Sequence, residues 1–197
     1  MKLAAFGYGS LVDPASAALT LGREPADRWD EGAAVPAVLA GWQRRWSQAR
    51  DNHRCEKTFA RDGDGSVPDY VLGLNIERTG NQRDVVNGLL IEVTEAELQR
   101  LDVRELRYDR VEVVDEITPR GFDSVITYVA KPENLVLEPP PGAVILRSYA
   151  EAVESAFHSL GRGHRAEYVR TTGPHPVEII DAHLVEDRIP SGNPRGW

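Results

Sequence analysis

Between residues 33 and 93 one β-like segment follows another, with no helical apolar pattern between them, and this order limits the folds open to the chain. Residues 33–47 read as one or two strands interrupted at Gly41, with Trp42 and Trp46 as large packing residues. A polar, glycine-containing segment over 51–68 reads as a loop, and residues 70–76 and 85–93 read as two further strands. With residues 2–6, 107–117 and 124–130 also β-like, the regular strand–helix alternation of a doubly wound parallel sheet is absent. The pattern predicts an α+β fold: a small mixed, largely antiparallel, barrel-like sheet with flanking helices.

The helices announce themselves by their ends. Asp13-Pro14 is an N-cap followed by proline at the first helical position, and Gly22 stops the short apolar run that follows. Thr94-Glu95-Ala96-Glu97 has capping-box spacing and predicts a helix from about Glu95 to Arg104. After the stiff spacer Glu138-Pro-Pro-Pro-Gly142, residues 146–159 and 165–171 read as two more helices. About fifty residues make a marginal independent domain. The expectation is therefore one domain over 1–197, with a sheet core in 1–137 and docked C-terminal helices and tail in 143–197.

Composition narrows the function classes. A net charge of −8 argues against a general nucleic-acid binder, which needs a basic face. No apolar run reaches membrane-spanning length. The single cysteine, Cys55, forms no internal disulfide and suits a reducing, cytoplasmic setting. His53-Arg54-Cys55-Glu56 lacks a second pair of ligands at zinc spacing, so neither a metal nor another cofactor is expected. Arg44, Arg45, Arg50 and Arg54 form a basic run expected to be a solvated face, with contact to an anionic substrate group as the alternative. Nothing in the chain sets its oligomeric state.

Two features carry chemistry. The first is FGYGSL, residues 6–11, directly after the first strand. It is not a dinucleotide fingerprint, because Val12 stands at the third glycine position. Nor is it a nucleophile elbow or a P-loop, whose patterns fail at the neighbouring positions. The plain alternative is a turn whose glycines adopt positive φ. The second feature is LQRLDVRELRYDR, residues 98–110. If the helix of Leu98 and Leu101 continues, Glu105 points within roughly 20° of Leu98, on the apolar stripe, while Arg100, Asp102 and Arg104 reach water. Desolvation raises the pKa of a carboxylate held in such surroundings, which suits a general base or acid near neutral pH. Two arrangements compete with this: a helix that ends near Val103, leaving Glu105 solvated, and a structural pair between Glu105 and an arginine.

Together, Tyr8-Gly9-Ser10-Leu11 and Leu101-Asp102-Val103-Arg104-Glu105 resemble the γ-glutamylcyclotransferase superfamily, with its ChaC-like and AIG2-like branches. The likeness spans about residues 3–172. LRSYAEAVESAF, with Tyr149, is similar to the family's substrate-contacting tyrosine at a helix start, and GHRAEYVRTT to its closing helix. The resemblance implies an enzyme that cyclises a γ-glutamyl peptide or amine to 5-oxoproline without cofactor. Glu105 would be the catalytic base and acid, and Tyr8, Gly9, Ser10, Leu11, Val12, Asp13 and Tyr149 would bind a small-molecule γ-glutamyl substrate. Tyr108 and Arg110 are further candidate supports. Leu11 stands where many members carry Asn, which puts a glutathione preference in doubt. The alternative is a non-catalytic binder of a small metabolite or a partner on the same fold.

Overall fold

A computed structural model describes residues 2–24, 28–30 and 32–194; the remaining positions of the 1–197 span lie outside the described residues. Strand β1 (Leu3–Gly7) is buried along its whole length and leads through a 3₁₀ turn at Ser10–Val12 into helix α1 (Pro14–Leu21). The Asp13 carboxylate accepts from the Ser16 amide at 2.7 Å, and Gly22 closes the helix at φ +75°. Strands β2 (Ala34–Ala40) and β3 (Trp42–Asp51) meet at Gly41, and β4 (Lys57–Arg61), β5 (Tyr70–Arg78) and β6 (Val85–Glu92) follow. Helix α2 (Glu95–Arg104) precedes β7 (Tyr108–Glu112), β8 (Ile117–Thr118) and β9 (Ser124–Ala130). Strand β10 (Ala143–Leu146), helices α3 (Arg147–Ser159) and α4 (Arg162–Thr171), and strands β11 (Ile179–Ile180) and β12 (Ala182–Asp187) complete the order.

The strands form a six-stranded sheet in the order β7-β9-β1-β6-β2-β8, a four-stranded sheet β11-β10-β5-β3, and a separate ribbon β12-β4. The pairs β1–β9, β5–β10 and β10–β11 are parallel and the others antiparallel, so the sheet system is mixed and largely antiparallel. It curls into a half-barrel flanked by the four helices, the α+β architecture expected. Phe6, Leu39, Leu72, Leu74, Ile76, Leu89, Leu90 and Ile91 belong to one buried core on the two faces of the strands, and Leu98, Leu101, Val153 and Phe157 bring in the helices. The Ala130 amide donates to Asn75 Oδ1 at 2.8 Å, so a buried side chain ties β5 to β9. Among the described residues, no helix is long and apolar enough to cross a membrane.

Three features depart from the sequence reading. The polar 51–68 segment contains β4, and the tail contains the partner strand β12. The segment after the proline spacer supplies β10 and β11 to the four-stranded sheet as well as its helices. Arg44, read as part of a solvated face, is fully buried. Its guanidinium lies 5.0 and 4.9 Å from the ring centroids of Phe157 and Tyr168, which stack on each other at 4.6 Å. It donates to Asn87 Oδ1 at 3.2 Å, to Thr172 Oγ1 at 3.1 Å and to the Asn87 carbonyl. Burial pushes its pKa down to about 10. The cation thus ties α3 and α4 to β3 and β6.

Close packing of β6 against β1 sets the direction of the chain beyond Phe6. A Cβ at Gly88 would overlap the Gly7 carbonyl oxygen and lie 2.7 Å from Phe6 Cε2. Gly88→Ala is expected to cost about 1–3 kcal/mol in urea unfolding, the usual cost of overpacking. A second expectation concerns α2. Thr94 Oγ1 accepts from the Glu97 amide at 3.2 Å, and Glu97 Oε2 accepts from the Thr94 amide at 2.8 Å. Burial alone would raise the Glu97 pKa, but hydrogen bonds from Arg23 and Thr94 outweigh it and hold the carboxyl below its usual range. The stabilisation is therefore present above the ordinary value of about 4.3 and is lost as pH falls through the lower folded value. Glu97→Gln should cost about 1 kcal/mol near neutral pH, and the difference should shrink in melts below about pH 4.

Candidate active site

Helix α2 ends at Arg104, and Glu105 is its C-cap, with φ −89° and ψ +46° and its amide on the Leu101 carbonyl at 2.8 Å. Glu105 is therefore not a further helical residue on the apolar stripe. It reaches the interior because the chain turns there: the Tyr108 amide donates back to the Glu105 carbonyl at 2.9 Å. Its side chain is 15% exposed and pairs with Arg104 Nε at 3.1 Å.

Arg104, expected to reach water, is buried. It follows Leu101 by three residues, which places it beside the apolar stripe, and polar groups of the facing segments receive it. Its guanidinium donates to Ser10 Oγ at 2.8 Å, to Ser16 Oγ at 3.1 Å, to the Ser16 carbonyl at 3.2 Å and to Thr20 Oγ1. One arginine therefore binds the FGYGSL loop, helix α1 and the adjacent glutamate.

The loop and the glutamate share a cavity with two chambers. The smaller chamber, about 50 Å³, is lined by Phe6, Gly7, Tyr8, Gly9, Ser10 and Leu11 together with Leu74, Glu105, Tyr108, Tyr128 and Tyr149. The larger chamber, about 110 Å³, is lined on the strand side by Gln48, Arg50, Phe59, Val71, Leu72 and Gly73, and also by Arg104, Arg107 and Leu146. Ser10, Glu105, Tyr108 and Tyr149 line both. Of the residues singled out in the sequence, Tyr8, Gly9, Ser10, Leu11, Glu105 and Tyr149 thus come together.

Val12 and Asp13 do not line the cavity. The 3₁₀ turn carries them away from it: Val12 is buried, with its carbonyl on Trp29 Nε1 at 3.0 Å, and the Asp13 side chain caps α1. Gly7 and Gly9 are not positive-φ residues, so the plain-turn account of FGYGSL fails. A Cβ at Gly9 would lie 3.5 Å from the Tyr149 hydroxyl, an ordinary van der Waals contact. Arg110 does not line either chamber; it pairs with Asp102, to which the Tyr128 hydroxyl donates at 2.9 Å.

The phenols form a protonated wall. Tyr8 donates to the Tyr128 carbonyl at 2.8 Å, and Tyr108 donates to the Leu74 carbonyl at 2.8 Å. Tyr149 stands edge-on to Trp46, with centroids 6.0 Å apart. Burial first, with neighbouring phenols and Glu105 adding to it, pushes Tyr8 and Tyr149 well above the ordinary phenol range. Burial and Asp102 do the same for Tyr128. Ser10 Oγ accepts from Arg104 and so keeps its own hydrogen to donate.

Sequence reading gave Tyr108 only a supporting place and did not place Tyr128, Gln48 or Phe59. The available signal was period-two alternation on β3 and β5, which puts Gln48 and Arg50 on one face opposite Gly73 and Val71.

No protein-family model and no curated protein matches the chain. Solved structures do. YkqA from Bacillus subtilis aligns with 86% of this chain at 20% identity and a TM-score of 0.54; the chain spans 53% of that protein's length. The uncharacterized protein loc79017 from Homo sapiens aligns over 89% of this chain and 90% of its own at 14% identity, with a TM-score of 0.52. The chain shares the fold of these two structures. A gamma-glutamyl cyclotransferase structure aligns over 91% of this chain and 94% of its own at 13% identity; its TM-score of 0.49 adds no weight. The α+β fold implied by the sequence resemblance is the fold observed.

The buried phenols give a direct test of this wall. Tyr8, Tyr128 and Tyr149 are raised, and Tyr168 is raised to about 12, chiefly by burial. The unfolded chain releases these protons from about pH 10 upward while the folded chain retains them, so stability falls as pH rises beyond that point. Alkaline difference spectroscopy should show these four ionising together with unfolding, later than an exposed phenol.

Proposed function

We propose that the chain is a γ-glutamyl cyclotransferase of the cytoplasm, releasing 5-oxoproline and a free amine from a γ-glutamyl peptide or amine. The observation that supports this reading is the shared cavity: a sheltered carboxylate, Glu105, and the Tyr8–Leu11 loop line the same smaller chamber.

The chemistry asks little of the protein beyond placement and proton transfer. The α-amine of the γ-glutamyl group attacks its own δ-carbonyl, a C–N bond forms within the ring, and the original amide C–N bond breaks. Both reacting groups belong to one molecule, so holding the chain bent supplies much of the rate. In passing from ammonium to lactam N–H, the attacking nitrogen sheds two protons. The leaving nitrogen gains two as it departs as an ammonium. Glu105 accepts from the first and returns to the second, which needs no other titrating group. The carbonyl oxygen gains negative charge as the ring closes. Backbone N–H groups of the loop, uncovered by a side chain at Gly9, and the Ser10 hydroxyl are the donors that would meet this oxygen or the α-carboxylate. Tyr8, Tyr108 and Tyr149 enclose the bent chain and exclude water.

The test is mass spectrometry of 5-oxoproline released from a mixture of γ-glutamyl amino acids and γ-glutamyl amines. Wild-type protein should release it. Glu105→Gln should retain the wild-type urea midpoint to within about 1 kcal/mol and lose turnover by at least about 100-fold. Release at the wild-type rate by that variant would overturn the role of Glu105. Binding of these compounds without any release would favour the non-catalytic reading.

A further inference from the structure

The larger chamber holds a neutral acceptor that the proton transfers described above do not use. Gln48, on β3, is 6% exposed and lines this chamber. Its Nε2 donates to the Ala49 carbonyl at 2.8 Å, and that carbonyl can only accept. The side-chain amide is thereby fixed with Oε1 away from Ala49, 3.5 Å from the Tyr108 hydroxyl. That hydroxyl has one hydrogen to give and a nearer acceptor, the Leu74 carbonyl at 2.8 Å. Gln48 Oε1 therefore keeps acceptor capacity at the chamber wall.

Local strand geometry builds this placement. Arg45 faces Asn75 and Gln48 faces Gly73, so Trp46 and Ser47 together oppose Leu74 in a bulge. A Cβ at Gly73 would lie 2.9 Å from Gln48 Oε1 and 3.5 Å from the Tyr108 hydroxyl. Gly73 thus leaves the space that the amide oxygen occupies, and it lines the same chamber. Tyr108 and Glu105 line both chambers, whereas Gln48 lines the larger one only and the Tyr8–Gly9 part of the loop the smaller one only. With the γ-glutamyl end at the loop, Gln48 meets the leaving-group side of the scissile amide.

Building on the cyclotransferase reading, we propose that Gln48 is a substrate-positioning contact whose Oε1 accepts the N–H of the scissile amide. A neutral oxygen suits this uncharged donor, while the substrate ammonium is better met by the Glu105 carboxylate. Gln48 does not titrate, so the proton it holds stays on the nitrogen. Anchoring that N–H turns the lone pair of the leaving nitrogen toward the proton that Glu105 returns as the C–N bond breaks. The bond strengthens as the nitrogen becomes an ammonium, so it aids departure more than binding. The favoured substrates are then γ-glutamyl derivatives of primary amines, whose amides keep an N–H.

A matched pair tests this: γ-glutamyl-butylamide and the γ-butyl ester of glutamate, which differ only in N–H against O at the leaving atom. The ester is the more reactive compound, so the readout is how a variant changes the amide-to-ester ratio of kcat/KM, after subtraction of spontaneous ring closure. Gln48→Leu should lower that ratio roughly tenfold, the effect of one lost hydrogen bond with a stranded partner. Gly73→Ala, whose Cβ displaces the Gln48 oxygen, should lower it in the same direction, and it carries the test if Gln48→Leu does not fold. An unchanged ratio overturns the proposal, including an equal fall for both compounds, which would assign Gln48 to packing or to the γ-glutamyl end. If wild-type protein releases 5-oxoproline from neither compound, the cyclotransferase reading fails while calorimetry with the same pair still decides about Gln48. Tighter binding of the amide than of the ester by wild-type protein, with the difference lost in the variants, supports the contact; equal or undetected binding refutes it.

Discussion

The site depends on the guanidinium of Arg104. It reaches from the last turn of α2 to Ser10 in the loop and to Ser16 and Thr20 in α1, and it pairs with Glu105, the next residue in the chain. These segments lie more than eighty residues apart in sequence, and packing of Leu98 and Leu101 alone would not fix their relative height to within a hydrogen bond. A buried cation does, because each unmade hydrogen bond leaves a polar group stranded in a medium that cannot solvate it. Arg104 thereby sets the position of the carboxylate relative to the loop and helps define the orientation of the Ser10 hydroxyl.

Arg44 fulfils a comparable role on the other side of the sheet by different means. Against the stacked rings of Phe157 and Tyr168 and the side chain of Asn87, it fixes α3 and α4, and through α3 it fixes Tyr149. Its Nε has no hydrogen-bond partner among the described residues. The ring faces and the Asn87 carbonyl supply the negative potential that a carboxylate would otherwise supply. A buried arginine thus orders each pair of helices: Arg104 joins α2 to α1 and the loop, and Arg44 joins α3 and α4 to β3 and β6.

What was legible in the sequence was local. The caps at Asp13 and Thr94, the stop at Gly22 and the β-like apolar runs of β1, β5, β6 and β9 are decided by near neighbours, and they lie where expected. The burial of Arg44 is decided by Asn87, Phe157 and Tyr168, far along the chain, so a reading that sends arginines to water misplaces it. The same holds for Arg104. Strand β4 is short and ends in charged residues, and its partner β12 breaks alternation with a bulge between Leu184 and Glu186; neither segment reads as a strand alone. At the candidate site, Glu105 reaches the cavity by a route other than the one its helical spacing predicts. The helix stops one residue short, and the turn at its end, rather than helical phase, delivers the side chain to the cavity.

The ribbon of β4 and β12 stands outside both larger sheets, yet β4 carries Phe59, the ring beneath Arg50. It is held by its pairing with β12, by the Asn52 side chain at the Phe59 backbone, and by Arg188, whose amide reaches the Glu56 carbonyl at 2.6 Å. The Tyr8–Leu11 loop and Glu105 draw on none of these bonds. The Phe59 side of the cavity and the side formed by the Tyr8–Leu11 loop and Glu105 therefore rest on separate scaffolding, so the ribbon can be remodelled without touching the bonds that hold the loop.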